Sequence, residues 1–322
     1  KNIIWLKIWH NNMPNLEIEG TLTNSNWIKH IEYLQNINNV IGTKENIATA
    51  LKDSIINDLP KEPFGVLLSG GVDSSIIAKI CKDANASFRC FCVGIKGSED
   101  LKVANEIAKL LGLELVFKEF ELDEIEQILI QVINILPTPI IHDDNYIEYM
   151  VKVSVSTVLL AAISLGDEKI FFSGIGAEEL FAGYQRHVKS MGEGGTWRGM
   201  DIKGLEEESW EGLKRLNNLV ISRDRLISES VSKEIISPYI DDKLIILAMS
   251  LSTDEKIDSI TNKKMLREIA EDLRVPKEAS ARKKKGAQYG SSFDKAITKL
   301  AKRNGFKLKK RYLDSLITKR TI

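Results

Sequence analysis

The stretch that decides the fold is FGVLLSGGVDSSIIAKI, residues 64–80. It opens with an apolar run, breaks at two glycines and then resumes as an apolar-periodic run. This order is typical of a buried strand, a tight turn and a helix. We predict a strand that ends at Ser69. The two glycines, Gly70 and Gly71, let the backbone turn tightly and approach a ligand closely.

The same alternation continues along the chain. FRCFCVGI and LELVFKEFEL read as strands, and DLKVANEIAKLLG between them reads as a helix closed by Gly112. KIFFSGIG is a further short strand, and the chain from about Glu178 onward is mostly helical in pattern. Strands that alternate with helices predict an α/β fold with a doubly wound parallel sheet, here with a helical C-terminal part. Ligands bind such sheets at the carboxyl ends of the strands.

Composition excludes several classes of protein. The 322 residues are 43% hydrophobic and 28% charged, an ordinary balance for a globular chain. No apolar run approaches the roughly 18 residues of a membrane span, and we find no signal peptide. Three cysteines do not make a disulfide framework, which fits a reducing compartment. We therefore expect a cytoplasmic protein without a membrane partner.

Charge is unevenly distributed although the net charge is zero. Residues 282–322 hold 14 Lys or Arg against two Asp, a net charge of +12, so residues 1–281 carry −12. The asymmetry indicates an anionic partner for the C-terminal segment, such as RNA, or simply a solvated basic tail.

The residues after the first glycine turn suit a phosphate and a metal ion. Ser74 and Ser75 begin a helix, whose free N–H groups and positive dipole end favour an anion. A carboxylate at Asp73 would repel a phosphate unless a cation lies between them, so Asp73 is a candidate Mg²⁺ ligand. The turn lacks the Gly-Lys-Ser/Thr of a Walker loop. An ordinary strand–turn–helix with small polar residues is the alternative.

A second turn repeats this design in SGIGAEELFAGYQRH, residues 173–187. Glu178 and Glu179 follow the glycines at the start of a helix. Acidic residues suit a helix N-terminus electrostatically, which is one interpretation. The functional interpretation is that they supply the metal carboxylate opposite Asp73.

SGG-x-DSS after a strand is the signature of the N-type ATP pyrophosphatases, and the order of motifs resembles the synthetase domain of class B asparagine synthetases. LLSGGVDSS is followed by SGIGAEELFAGY and then by RKKKGAQYGSSFDKAI. The resemblance covers about residues 46–300 and is greatest to the divergent asparagine synthetase domain-containing proteins. It implies an adenine nucleotide alpha hydrolase-like fold. Outside the matching part, the Trp- and Asn-rich residues 1–45 are typical of a small strand-and-turn appendage, and residues 301–322 of a basic tail.

The resemblance also implies roles for individual residues, with ATP and Mg²⁺ as cofactors. Asp73 and Glu178 would hold Mg²⁺. A lysine of the late R-x-K motif would neutralise charge on the phosphates, as an electrostatic catalyst. We favour Lys285, with Lys284 as the alternative register. The nucleotide would be bound by Leu67, Leu68, Val93 and Gly94 at the adenosine, by Ser69, Gly70, Gly71, Ser74 and Ser75 at the pyrophosphate, and by Ser173 and Gly174 at the adenylate.

Three departures from the family pattern concern the acceptor and the nitrogen donor. The sequence begins with Lys1 where the family has a glutaminase domain headed by a Cys, so we expect no glutamine hydrolysis by that route. Ile175 replaces an acidic residue of SGEGxDE. The family's Arg-x-Ser-Thr-Pro segment corresponds at best to residues 152–156, where Lys152 replaces an Arg that could clamp a carboxylate bidentately. His142, Asp143 and Asp144 either line an acceptor pocket or form a plain loop.

The sequence thus predicts an ATP-dependent amide-forming ligase that adenylates a carboxyl group and uses ammonia or an amine. The alternatives are an ATP-dependent tRNA-modifying enzyme, amidating or thiolating, and a non-catalytic adenylate-binding module. The acceptor would be a small molecule or tRNA, and a separate ammonia-supplying protein and a second copy of the chain are the protein partners considered. Cys90 and Cys92 share one strand face, either as sulfur carriers or, in our preferred interpretation, as buried core residues.

Overall fold

The computed structural model describes residues 23–137, 146–190, 195–197, 200–283 and 285–320. Within these ranges no helix combines the length and the apolar character that crossing a membrane requires. His142, Asp143, Asp144 and Lys284 lie outside the described residues.

The centre of the fold is a five-stranded sheet whose neighbouring strands all pair in parallel, in the order β3-β2-β1-β4-β7. A separate antiparallel pair, β5 with β6, lies outside it. The strands are β1 (Phe64–Leu67), β2 (Phe88–Gly94), β3 (Leu115–Glu119), β4 (Ile170–Phe172), β5 (Gly195–Trp197), β6 (Met200–Ile202) and β7 (Glu234–Ile236).

This strand order contains one reversal. From β1 the chain proceeds outward through β2 and β3, then returns to the other side of β1 to form β4 and later β7. The carboxyl ends of β1 and β4 therefore flank the position where the order reverses. In open α/β sheets this switch point is where ligands bind.

Helices connect and cover the strands. The described helices are α1 (Asn24–Asn36), α2 (Lys44–Asn57), α3 (Val72–Asp83), α4 (Glu99–Leu111), α5 (Leu122–Ile135), α6 (Tyr146–Ile163), α7 (Ala177–Leu180), α8 (Gln185–Lys189), α9 (Leu205–Leu216), α10 (Ser222–Glu229), α11 (Asp242–Met249), α12 (Thr253–Lys256), α13 (Lys264–Asp272), α14 (Lys277–Ser280), α15 (Ala287–Gly290), α16 (Phe293–Arg303) and α17 (Lys309–Arg320). A π-helical turn, Asn217–Ile221, joins α9 to α10, and a 3-10 turn, Pro238–Ile240, precedes α11.

Two hydrophobic cores lie on opposite faces of the sheet. Alternate residues of β2 divide between them: Cys90 and Cys92 face one core, whereas Phe91 and Val93 face the other. The first core packs the sheet against α2, α3, α4 and α13, and the second packs it against α5, α6 and α16. Helices on both faces of a parallel sheet confirm the predicted doubly wound architecture.

The structure corrects the expected strand-and-turn pattern for part of the N-terminal segment. Residues 24–36 form helix α1, which Thr23 caps by accepting a hydrogen bond from the Asn26 N–H. Trp27, Ile31 and Leu34 on one face of α1 are buried in the first core. These residues lie at i, i+4 and i+7, which is a helical spacing, but the many Asn residues around them favour turns in the sequence. The division of the chain at residue 45 stays a prediction.

The basic C-terminal segment is more than a solvated tail. It forms α17, whose Tyr312, Leu313 and Ile317 are each 1% exposed in the second core. The Tyr312 hydroxyl also donates to Glu126 on α5. Its basic residues therefore project from a helix that is anchored to the body of the protein.

Candidate active site

The turn after β1 is shaped by Gly70 and a group of serine hydroxyls. Gly70 has a φ of +74°, and an added Cβ there would lie 2.6 Å from Val103 Cγ1 on α4. Only glycine meets both conditions without strain. The Ser69 N–H donates to Ser74 Oγ at 3.3 Å, and the Gly71 N–H donates to Ser69 Oγ at 3.4 Å. The turn is thus a compact loop held by its own short polar side chains.

Helix α3 starts from this loop without a side-chain cap. Gly71 is its N-cap residue and offers no side chain to the first N–H groups. Ser75 Oγ is buried and has no hydrogen-bond partner among the described residues. An uncapped first turn followed by a polar group without a partner leaves donors that an anionic ligand could use.

The turn after β4 contacts the first loop directly. An added Cβ on Gly174 would lie 2.9 Å from Asp73 Cβ, so the two turns approach as closely as a glycine allows. The Ser173 N–H donates to the Ile236 carbonyl of β7 at 2.8 Å, and Ser237 Oγ donates back to the Ser173 carbonyl at 3.3 Å. The predicted adenylate residues Ser173 and Gly174 therefore lie beside the predicted metal ligand Asp73.

Asp73 and Glu178 both contact the ammonium group of Lys263. Lys263 Nζ donates to both carboxylate oxygens of Asp73 at 2.7 Å and to Glu178 Oε1 at 2.6 Å. All three side chains are buried. Ion pairs of this length away from water are charge-assisted hydrogen bonds of the stronger kind. The sequence predicted the two carboxylates to share a cation but did not identify this lysine.

The carboxylate pair suits Mg²⁺ in chemistry. Mg²⁺ takes oxygen ligands and in nucleotide enzymes uses one or two carboxylates together with substrate phosphates. Asp73 and Glu178 provide this donor set, since both reach one cation position. No group of three or more His, Cys, Asp or Glu side chains suited to a metal occurs in the part of the chain that the structure describes.

Lys263 is held in place by its neighbours along α13. It lies just before the helix with a φ of +55°, in the left-handed region that is uncommon for a residue with a side chain. Asn262 Nδ2 donates to the Gly183 carbonyl at 2.9 Å, and Arg267 Nε donates to the Asn262 carbonyl at 2.7 Å. An added Cβ at Gly183 would overlap both Glu178 Oε2 and Lys263 Cε. The glycine of FAGY thus makes room for the lysine stem.

A buried tyrosine fixes the backbone of Asp73. Tyr239, in the 3-10 turn before α11, is fully buried and donates its hydroxyl to the Asp73 carbonyl at 3.1 Å. Burial raises the pKa of Tyr239 well above its ordinary value, and the carboxylates of Asp73 and Glu178 raise it further. The hydroxyl consequently stays protonated and remains a donor.

Behind Glu178 lies a second buried polar group of residues. Tyr184 donates to Glu179 Oε1 at 2.7 Å, and burial raises the pKa of Glu179. His187 is fully buried, and its ring nitrogens have no hydrogen-bond partner among the described residues. Burial, together with the positive charge of Arg186, lowers the pKa of His187 to about 3. Glu179 therefore belongs to this layer rather than to the Asp73–Lys263–Glu178 contact.

The predicted adenosine residues lie at the ends of adjacent strands. β1 and β2 pair in register at Leu67 and Phe91, and the Leu68 N–H donates to the Phe91 carbonyl at 2.9 Å. The Leu68 and Val93 side chains are buried in opposite cores, whereas Leu67 is partly exposed. At these positions the backbone and the Leu67 side chain are the groups available to a nucleotide.

The basic C-terminal segment contacts the first loop through Arg282. Its guanidinium donates to the Ser69 carbonyl and, at 2.6 Å, to Asp100 Oδ1 on α4. Lys285 is half-exposed and pairs with Glu99 at the start of α4. The favoured catalytic lysine is therefore near the loop's partner helix, but its charge is engaged by a carboxylate.

The pattern of the asparagine synthase family matches residues 46–226 and 201–320 of the sequence. The chain belongs to the asparagine synthase family. It is 30% identical over 318 aligned residues to a putative glutamine-hydrolysing asparagine synthetase of Methanocaldococcus jannaschii, covering 85% of this chain and 54% of that protein. It is also 30% identical to asparagine synthetase B of Escherichia coli, covering 66% of this chain and 39% of the relative. The chain thus spans about half the length, or less, of these curated relatives.

Among solved structures, NMN synthetase from Francisella tularensis aligns with 94% of this chain and 95% of its own, at a TM-score of 0.37 and 13% identity. This likeness is too distant to support an inference. The fold of this asparagine synthase family member rests on its own strand order.

The sequence alone does not identify several residues that shape the site. Lys263 precedes another lysine in the string NKKMLRE, which reads as an exposed helix start. Its two partners lie 190 and 85 positions away, so no local pattern could connect them. Asn262 and Arg267, which hold the turn, act through backbone carbonyls and leave no signature in sequence.

Other predicted residues have ordinary surroundings. Lys152 pairs with Glu148 on its own helix and donates to the Asn218 carbonyl at 3.2 Å. Cys90 and Cys92 are buried, and burial raises the pKa of the Cys90 thiol to about 12. These cysteines are core residues, as preferred from the sequence, and not reactive thiolates. Ile175 is partly exposed and packs against both cores.

Proposed function

We propose that this member of the asparagine synthase family is an ATP-dependent ligase that adenylates a carboxyl group, releases pyrophosphate and forms an amide with ammonia or an amine. The observation that carries the proposal is the convergence of the two glycine turns at the switch point, where Asp73 and Glu178 reach one cation. The relatives' printed activity, asparagine synthesis, supports the general class of reaction.

In the proposed reaction, different residues would bind the pyrophosphate, the metal ion and the adenylate. The uncapped start of α3 and the serines of the first loop would hold the departing pyrophosphate. Asp73 and Glu178 would hold Mg²⁺, which when bound neutralises phosphate charge and supplies coordination for phosphate oxygens. Ser173 and Gly174 would line the adenylate from the second turn. Enclosure between the two turns would keep the adenylate from water until the nitrogen nucleophile arrives.

The nitrogen donor in the proposal is ammonia or an amine. The sequence contains three cysteines, and all three are buried core residues. Burial raises the pKa of each thiol, so none of them suits a glutaminase nucleophile. Adding glutamine to this chain should accordingly release no glutamate, whereas ammonium ions should support turnover with the correct acceptor.

The test is pyrophosphate exchange into ATP, screened against amino acids, other small carboxylic acids and tRNA, with separation of the nucleotide products. The expected products are AMP and pyrophosphate, and Asp73→Asn should abolish exchange. Accumulation of ADP and phosphate would contradict the proposal. ATP binding without exchange for any acceptor would favour the non-catalytic adenylate-binding module.

The acceptor stays a prediction divided between a small molecule and tRNA. The basic residues on the anchored helix α17 are a feature that RNA binding would use, through salt-sensitive phosphate contacts. Retention of tRNA at low salt that is lost steeply as salt rises would favour the tRNA-modifying alternative. Dimerisation and a separate ammonia-supplying protein are likewise open to direct measurement by sedimentation and co-purification.

A further inference from the structure

Two buried carboxylates and one buried ammonium form a charge cluster at the meeting point of the two turns. Lys263 Nζ contacts Asp73 through both oxygens and Glu178 through one, at 2.6–2.7 Å. Each carboxylate alone would be costly to bury as an ion, and two together would repel each other. The ammonium compensates both and fixes their separation.

The position of this ammonium is built by the fold rather than reached by a mobile surface side chain. The lysine is 1% exposed and adopts a left-handed backbone conformation. Asn262 ties its turn to the Gly183 carbonyl, and Gly183 gives the lysine stem its space. Arg267 links the same turn to the Ser280 carbonyl at the end of α14 and to the Arg282 carbonyl of the basic segment. Three hydrogen bonds and the space beside Gly183 thus hold the turn that carries the lysine.

We infer that Lys263 is the resident cation of the Asp73–Glu178 pair, and that it keeps a divalent ion out of this position until nucleotide phosphates are present. An ammonium and a divalent ion compete for the same oxygens, and their charges repel. Bound phosphates would change this balance, because their negative charge compensates a second cation at the same carboxylates. The site would then take up metal together with nucleotide rather than before it. The inference deepens the proposed function and rests on it for the identity of the nucleotide alone.

Removing the lysine should convert the pair into a metal site of its own. In Lys263→Met the methionine keeps the volume of the stem but removes the ammonium that contacts both carboxylates. Mn²⁺ is a suitable probe because its free form gives an electron paramagnetic resonance signal that disappears on binding. Without nucleotide, we expect Lys263→Met to bind one Mn²⁺ with a dissociation constant on the order of 10⁻⁴ M, at least about tenfold tighter than wild type.

Two further variants make the test specific. Lys256→Met is the matched control, because Lys256 is also buried but its nitrogen contacts Met249 Sδ at 3.8 Å and forms no salt bridge in the described ranges. It should leave Mn²⁺ binding as in wild type. Asp73→Asn combined with Lys263→Met removes one of the two proposed ligands. This double variant should bind Mn²⁺ no more tightly than wild type.

The stability of Lys263→Met supplies a second measurement. Removing one partner of a buried ion pair is strongly destabilising, so this variant is expected to melt at a lower temperature than wild type. About 1 mM Mn²⁺ should restore part of the loss, raising its melting temperature by about 2 °C while leaving that of wild type unchanged. If the variant is unfolded in metal-free buffer, Mn²⁺ should restore its fold.

The inference is overturned if wild type binds Mn²⁺ without nucleotide as tightly as Lys263→Met. It is equally overturned if Lys263→Met neither binds Mn²⁺ nor is stabilised by it, or stays unfolded in its presence. These outcomes are independent of turnover. A chain that shows the Mn²⁺ behaviour but no pyrophosphate exchange would refute the proposed function and leave the role of Lys263 intact.

Discussion

The close approach of the two turns makes Gly174→Ala a sensitive test of the site. The added Cβ would lie 2.9 Å from Asp73 Cβ, whereas ordinary contacts begin near 3.4 Å, so the turns must separate by about 0.5 Å. The neighbouring atom is not the end of a flexible side chain, because Asp73 Cβ is attached directly to the first turn of α3. Relief must therefore come from movement of the turn or of the helix start.

This movement acts on both stability and chemistry. Overpacking a close contact typically costs about 1–3 kcal/mol, and a shift of 0.5 Å places the expected cost near the lower end, about 1 kcal/mol. A misplacement of about 1 Å can cost about a hundredfold in rate, so half of that distance should cost about tenfold. Since Asp73 also carries the contact to Lys263, nucleotide-dependent metal binding should weaken along with the rate.

The assay pairs urea unfolding with pyrophosphate exchange. Gly212→Ala is the matched control, because Gly212 lies within α9 and its added Cβ would meet a side-chain atom, Glu179 Cγ, at the longer distance of 3.3 Å. Alanine is more favourable than glycine in a helix by about 0.5–1 kcal/mol, which should offset the cost of this contact. The rate of pyrophosphate exchange should be unchanged. A Gly174→Ala protein with wild-type stability and a wild-type exchange rate would refute the reasoning, since it would show that the two turns can separate without consequence.

Two further predictions concern charges at and behind the site. Lys285→Ala should slow pyrophosphate exchange by about 10²–10³-fold if Lys285 acts as a preorganised charge. Glu99→Gln removes the carboxylate that pairs with Lys285 and should not slow exchange. An exchange rate unchanged in Lys285→Ala would assign the role to Lys284. Burial lowers the pKa of His187 to about 3, so the unfolded chain binds this proton more tightly than the folded chain does. The free energy of unfolding should therefore be unaffected by this group above about pH 6.5. It should fall by at most about 1.4 kcal/mol per pH unit toward pH 3. Urea unfolding at several pH values measures this slope, and His187→Phe should make it shallower; an unaltered slope would assign acid sensitivity to other groups.

The sequence predicted those parts of the fold and site that local patterns encode. The strand–glycine–helix order around Gly70 and its repeat at Ser173 are both evident in the sequence. Each fixes a turn at the carboxyl end of a strand, and the rule that such ends share one edge of a parallel sheet brings Asp73 and Glu178 together. In the structure both carboxylates contact Lys263 Nζ. Their proximity follows from the strand order, which places the ends of β1 and β4 side by side.

The prediction failed where the relevant partners are far apart in sequence. Helix α1 was expected as strands and turns because its composition is rich in Asn. Its helical spacing has meaning through distant partners such as α9. The Trp27 indole N–H donates to the Leu213 carbonyl across 186 positions, and no window of sequence contains both. Likewise, the apolar face of α17 is short and surrounded by lysines, so it reads as a solvated tail until α5 is placed beside it.

Lys263 shows why a metal site is difficult to infer from carboxylates alone. The sequence predicts a cation between Asp73 and the phosphates, and Mg²⁺ from solution is the cation it suggests there. The chain also contains a cation of its own, delivered from the turn before α13. A charge that stabilises two buried carboxylates in the absence of ligand must be displaced or joined when ligand arrives, and either event couples metal uptake to nucleotide binding. The same lysine that keeps the fold stable around the pair is therefore the residue through which the order of binding is set.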